Sequence, residues 1–130
     1  MKKLAFLLMV LILSSCGNSG VSLVNNLGKE NNLSYEKDVF KDGTKWYRAK
    51  LPANGSNEII LKIKNSIDKK LDMLPSKTVK DELSTAQDYS AIEDTYIWES
   101  PKMKLEMRYT RDVTYSEDLK YFITFWVTQK

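Results

Sequence analysis

The sequence predicts an α+β domain: an antiparallel sheet of about five strands, in the order β-β-α-β-β-β, with one amphipathic helix packed on one face. Three observations carry this. Apolar and polar residues alternate on both sides of Lys41-Asp42-Gly43. Between about 56 and 73 apolar residues recur at three- and four-residue steps. Three more strand-like runs follow, at about 91–99, 102–111 and 119–128.

In the first hairpin, Leu33, Tyr35 and Val39 alternate with charged neighbours, and Tyr47, Ala49 and Leu51 follow the turn. A two-residue Asp-Gly loop would set Val39 and Tyr47 on opposite faces. A three-residue loop, Lys41-Asp42-Gly43 with Gly43 left-handed, pairs Leu33 with Leu51 and Tyr35 with Ala49. Both apolar sets then share a face, and the hydrophobic pattern fixes the register of a half-buried strand. Pro52 to Gly55 ends the strand. Ser56 is a candidate helix cap, with Glu58 in the positive first turn. Ile60, Ile63, Ile67, Leu71 and Leu74 recur at helical spacing, with Lys62, Asp68, Lys69 and Lys70 on the other side. This predicts a helix over about 56–73, ended before Pro75. A strand at Ile59-Leu61-Ile63 is the rival.

Residues 75–90 carry few apolar side chains and read as a loop, or as a short helix from Thr78 to Ala86. Beyond them, Ser100-Pro101 separates two strands. A four-residue loop, Glu99 to Lys102, pairs Trp98 with Met103 and Tyr96 with Leu105. One face then holds Tyr96, Trp98, Met103, Leu105 and Met107, and the other Thr95, Ile97, Lys104, Glu106 and Arg108. Such alternation suggests a sheet covered on one side only. On the last strand Tyr121, Ile123, Phe125 and Val127 form the core face. Phe122 and Trp126 face out, beside Thr124 and Thr128, and Phe40 and Trp46 face the same way. Aromatics beside Arg and Lys stems are common at recognition surfaces. Trp126, Phe122, Arg108, Lys104 and Trp46 are therefore the candidate binding face. The alternative is a second small core, closed by a loop or by residues 75–90.

Composition narrows the function classes. The 130 residues include 20 Lys and Arg, 17 Asp and Glu, one Cys and no His. The lack of His removes the commonest general base and metal ligand. One Cys removes disulfide frameworks and Cys-cluster metal sites. There is no Gly-rich phosphate loop. Acidic pairs occur at Asp81/Glu82, Glu93/Asp94 and Glu117/Asp118, but neighbours in a strand point apart. The sequence thus predicts no catalytic residue, no metal site and no cofactor.

The first sixteen residues, MKKLAFLLMVLILSSC, join Lys2 and Lys3 to a ten-residue apolar run and then to small residues. This is the build of a secretory signal, and ten apolar residues are too few to span a bilayer, which takes roughly 20. Leu13-Ser14-Ser15-Cys16 resembles the lipobox of bacterial lipoproteins. The resemblance covers only this segment. It implies cleavage before Cys16, a diacylglycerol on its thiol and, often, an acylated amino group. The protein would then be held in the cell envelope by its lipid. Gly17, where an Asp would stand, implies transfer to the outer membrane if the source has two membranes. Without Lys2 and Lys3 the 20 basic residues fall to 18 against 17 acidic, which leaves no footprint for nucleic acid.

Residues 17–32, GNSGVSLVNNLGKENN, are rich in Gly, Asn and Ser and read as a flexible tether between Cys16 and a domain of residues 33–130. Fully extended it would reach about 55 Å. Val21, Leu23, Val24 and Leu27 are its apolar exception, able to dock as a short strand or helix. Anchor, tether and surface together suggest a non-enzymatic module that binds an envelope protein or a glycan. The alternatives are an inhibitory or exclusion lipoprotein, a small envelope hydrolase acting through carboxylates, and a plain spacer.

Overall fold

The computed structural model describes residues 19–84, 89–113 and 120–130. The segment expected to be a signal, Cys16 and the Glu117/Asp118 pair lie outside them. In chain order the elements are α1 (Ser19–Glu30), β1 (Glu36–Val39), β2 (Lys45–Leu51), α2 (Ser56–Leu71), β3 (Ser76–Ser84), β4 (Tyr89–Glu99), β5 (Met103–Val113) and β6 (Lys120–Gln129). The strands form one six-stranded sheet in the order β1-β2-β6-β5-β4-β3, with every neighbouring pair antiparallel. The fold is α+β as predicted, with one more strand and one more helix than expected.

The first hairpin has the predicted register. Lys37 opposes Tyr47 and Val39 opposes Lys45. Gly43 is left-handed at φ 87°, and Phe40 and Thr44 close the loop through a 2.8 Å backbone hydrogen bond. Asp42 Oδ1 also accepts the Thr44 backbone N–H at 2.9 Å. The regular strand starts only at Glu36, so Leu33 and Tyr35 precede it.

The β4–β5 turn is tighter than predicted. Trp98 opposes Leu105 and Tyr96 opposes Met107, a shift of two residues. Ser100 donates its N–H to the Met103 carbonyl at 2.9 Å, so only Pro101 and Lys102 form the loop. Ser100 Oγ accepts the Lys102 and Met103 N–H groups at 3.3 and 3.2 Å. Ser-Pro is thus the turn itself and not a break before it, since Pro presets the φ a turn needs. A two-residue shift keeps every side chain on its face, so the predicted faces survive.

Residues 76–84 form neither a loop nor a helix but the edge strand β3, in register with β4 from Ser76↔Ile97 to Ser84↔Tyr89. Ser76, Lys77, Thr78 and Val79 are all exposed. An edge strand is held by its backbone ladder and needs no apolar alternation, which is why the sequence pattern is silent there.

Helix α2 buries Ile60, Ile63 and Ile67, as the spacing predicts, which removes the rival strand. Leu74 lies past its end and is exposed. Ser56 is not the cap. Gly55 takes that place without a side-chain hydrogen bond, and the buried Ser56 hydroxyl meets the Tyr109 hydroxyl at 2.7 Å. Trp98, fully buried, donates its indole N–H to Asp68 at 2.9 Å, fixing the other end of α2 to the sheet.

The largest correction is at residues 19–30, expected as flexible tether. They form α1, and Leu23, Val24 and Leu27 join the same core as α2 and the sheet. Two glycines let the helix lie close. A Cβ on Gly20 would stand 2.5 Å from Met103 Sδ, and one on Gly28 would stand 2.5 Å from Tyr35 Cε2. The Tyr35 hydroxyl donates to the Val24 carbonyl at 2.9 Å, and its ring packs edge-on to Tyr47 and Phe125 at 5.5 and 6.1 Å. Burial pushes the Tyr35 hydroxyl well above the ordinary tyrosine range. Asn32, at φ 55°, turns the chain out of α1 while the Leu33 N–H donates to the Gly28 carbonyl at 2.8 Å. Asp72 ends α2 in the same way. Both are left-handed stops, made with Asn and Asp in place of the usual Gly.

Candidate functional site

Both helices supply one core against one face of the sheet, formed by Tyr47, Ala49, Tyr96, Trp98, Met103, Leu105, Met107, Ile123 and Phe125. The strand period of two therefore sends the intervening residues to the opposite face. Registers assemble that face in rows. One row runs Asp38, Trp46, Trp126, Glu106, Ile97, and the next runs Glu36, Arg48, Thr124, Arg108, Thr95.

Two arginine–aromatic stacks stand on this open face. The Arg108 guanidinium lies 4.4 Å from the Trp126 ring centroid, and the Arg48 guanidinium lies 3.9 Å from that of Phe122. Thr124, between the two arginines in its row, is buried. Arg108 is oriented further by carboxylates. Its Nε donates to Glu106 at 2.8 Å and sits 3.6 Å from Glu93, whose carboxylate accepts the Thr95 hydroxyl at 3.1 Å. The stacks leave Trp126 and Phe122 half-buried, where strict exposure was expected, because the guanidinium stems cover part of each ring.

Beside Trp126 is a groove of about 440 Å³ lined by Phe40, Thr44, Lys104, Glu106, Arg108 and Trp126, among others. Of the predicted binding face, Trp126, Arg108 and Lys104 meet in this groove. Phe122 stands farther along β6 under Arg48, and Trp46 faces Trp126 across the β2–β6 register without lining the groove. Sequence reasoning missed Arg48. Its signal was available, since it is two residues from Trp46 on the same strand. Phe40 is exposed at the groove's rim. Asp42, also at the rim, has its carboxyl held below the usual range by the hydrogen bond from the Thr44 backbone N–H.

Of the acidic pairs, Glu93 and Asp94 point to opposite faces and form no joint site. Glu93 contacts Arg108 on the open face, whereas Asp94 pairs in register with Tyr109 on the helix side. Among the described residues no group of three or more His, Cys, Asp or Glu converges as a metal site. A second depression, of about 540 Å³, lies between α1 and β1, against Gly28 and Tyr35. Comparison with protein-family models, with curated proteins and with solved structures found no match.

Proposed function

We propose that the protein is a lipid-anchored envelope lipoprotein that binds a partner on its open sheet face and performs no chemistry of its own. The observation that carries this reading is the pair of arginine-capped aromatics, Arg108 on Trp126 and Arg48 on Phe122, on a face that neither helix covers. A planar guanidinium over a ring is preorganised, and a partner that closes over it removes apolar area from water without ordering new side chains. Protein interfaces favour this mixture of Trp, Phe and Arg at their centres. The mixed charge of the face, with Glu93 and Glu106 against Arg108, suits a protein surface with its own complementary pairs.

The anchor is tested at its one residue. Cys16→Ala should abolish incorporation of a labelled fatty acid and leave an unprocessed precursor. Equal label on wild type and variant rules Cys16 out. Recognition is tested with Trp126→Ala. Its loss of stability should stay near 1–2 kcal/mol, as for a half-buried ring under a cation. Pull-down from native membranes should lose a partner that the wild type retains. A stability loss of about 3–5 kcal/mol would instead mark Trp126 as a core residue. Equal recovery of the partner with both proteins would remove the open face as the binding surface.

A further inference from the structure

The docking of α1 changes the reach of the anchor. Cys16 lies three residues before Ser19, where the helix begins. Three Cα steps span at most about 11 Å, whatever conformation they take. A tether over residues 17–32 would have allowed several times that distance.

The start of α1 has a fixed place on the sheet. Gly20 packs against Met103 and Val127. Met103 opens β5 directly after the Pro101-Lys102 turn, and the Lys130 N–H donates to the Lys102 carbonyl at 2.9 Å. The hydroxyls of Thr44 and Thr128 meet at 3.1 Å, which brings the Lys41-Asp42-Gly43 loop to the same end. Phe40, Lys41, Pro101 and Lys102 are all exposed there. Asp42 and Glu99 share this end, and Glu99 is neutralised by Lys130 at 2.7 Å. The Pro52–Gly55 loop is at the other end, beside Ser56 and Tyr109. The β5 residues Met103 and Tyr109 separate the two ends by roughly 20 Å along the strand.

We infer that in the anchored protein the end bearing Phe40, Lys41, Pro101 and Lys102 lies on the membrane, with the two lysines against anionic headgroup phosphates. The inference rests on the proposed acylation of Cys16. Lipids on that residue place it at headgroup level, and its three-residue link holds the adjoining end of the sheet there. Lysines near an anionic surface add attraction, and an exposed aromatic ring suits the interfacial layer. The strands then stand upright, and the open face with Trp126 and Phe122 looks along the membrane plane. It is thereby presented to another protein of the same membrane.

The test uses the full chain, processed and acylated, in vesicles of phosphatidylethanolamine and phosphatidylglycerol. Acylation consumes the sole native thiol, so Gln129→Cys and Asn54→Cys each accept a fluorophore at one exposed position. A lipid with a headgroup nitroxide should quench the label at 129 several-fold more than the label at 54. Equal, weak quenching on a protein that still floats with the vesicles overturns the inference and leaves the anchor standing. A protein that stays off the vesicles with Cys16 unmodified overturns both. Adding Lys41→Glu and Lys102→Glu should lower quenching at 129 on phosphatidylglycerol vesicles and leave it unchanged on phosphatidylcholine alone. No change on either surface overturns the headgroup contact.

Discussion

Gly28→Ala separates a docked helix from a tether. In an exposed helix interior the exchange stabilises by about 1 kcal/mol, and in a flexible segment it does little to the folded state. Here the new Cβ would stand 2.5 Å from Tyr35 Cε2, 3.0 Å from Cζ and 3.2 Å from the hydroxyl oxygen. That ring is poorly placed to yield, since its hydroxyl is bonded to the Val24 carbonyl and its edges meet Tyr47 and Phe125. Displacing it forfeits a hydrogen bond of about 1 kcal/mol and part of two aromatic contacts of about 0.5–1.5 kcal/mol each. After the propensity gain, the net loss should be about 1–2 kcal/mol. Urea unfolding measures it directly, and thermal unfolding should fall by roughly 4–8 °C per kcal/mol for a domain of this size. In a Tyr35→Ala background the same exchange should turn neutral or stabilising, because the obstructing ring is gone. A Gly28→Ala protein more stable than wild type would refute close packing of α1 on Tyr35.

Two further outcomes follow from the core. Trp98→Phe removes the indole N–H that Asp68 accepts beneath α2 and should cost about 2 kcal/mol by urea unfolding, while a loss under about 0.5 kcal/mol would detach α2 from that contact. The hydroxyls of Tyr35, Tyr47 and Tyr109 are all pushed up from the ordinary 10.0, chiefly by burial, so the folded state keeps protons that the unfolded chain releases. Their contribution to stability is complete below about pH 10 and is lost as pH rises from there toward the folded values. An alkaline unfolding midpoint that Tyr35→Phe leaves unmoved would contradict this for Tyr35.

Elements with one wet face and one dry face were legible. The Gly43 hairpin register, the α2 face of Ile60, Ile63 and Ile67, and the faces of β4, β5 and β6 all follow from apolar spacing, which burial imposes. β3 was illegible because Ser76 to Val79 are exposed on both faces and leave no such imprint. Residues 19–30 were misread for a different reason. Glycine and asparagine are the same letters whether they signal freedom or tight fit. Gly20 and Gly28 are there for close approach, and Asn32 for a left-handed stop. The open face was legible as an outward set, since Trp126 and Arg108 fall opposite the core by alternation alone. That Arg48 would cover Phe122 depended on which strands become neighbours. The β2–β6 pairing joins residues far apart in the chain, and no local pattern encodes it.

That same β2–β6 pairing sets the order in which the chain can fold. β3, β4, β5 and β6 are a meander of local contacts, free to zip in sequence. Among the described residues β6 alone joins the β1–β2 hairpin to β5, so that hairpin has no further strand to pair with until β6 is present. Cooperative closure thus waits for β6, and long-range pairing of this kind slows folding. The core and the open face are therefore completed in one event, since β6 carries Ile123 and Phe125 to the first and Phe122 and Trp126 to the second.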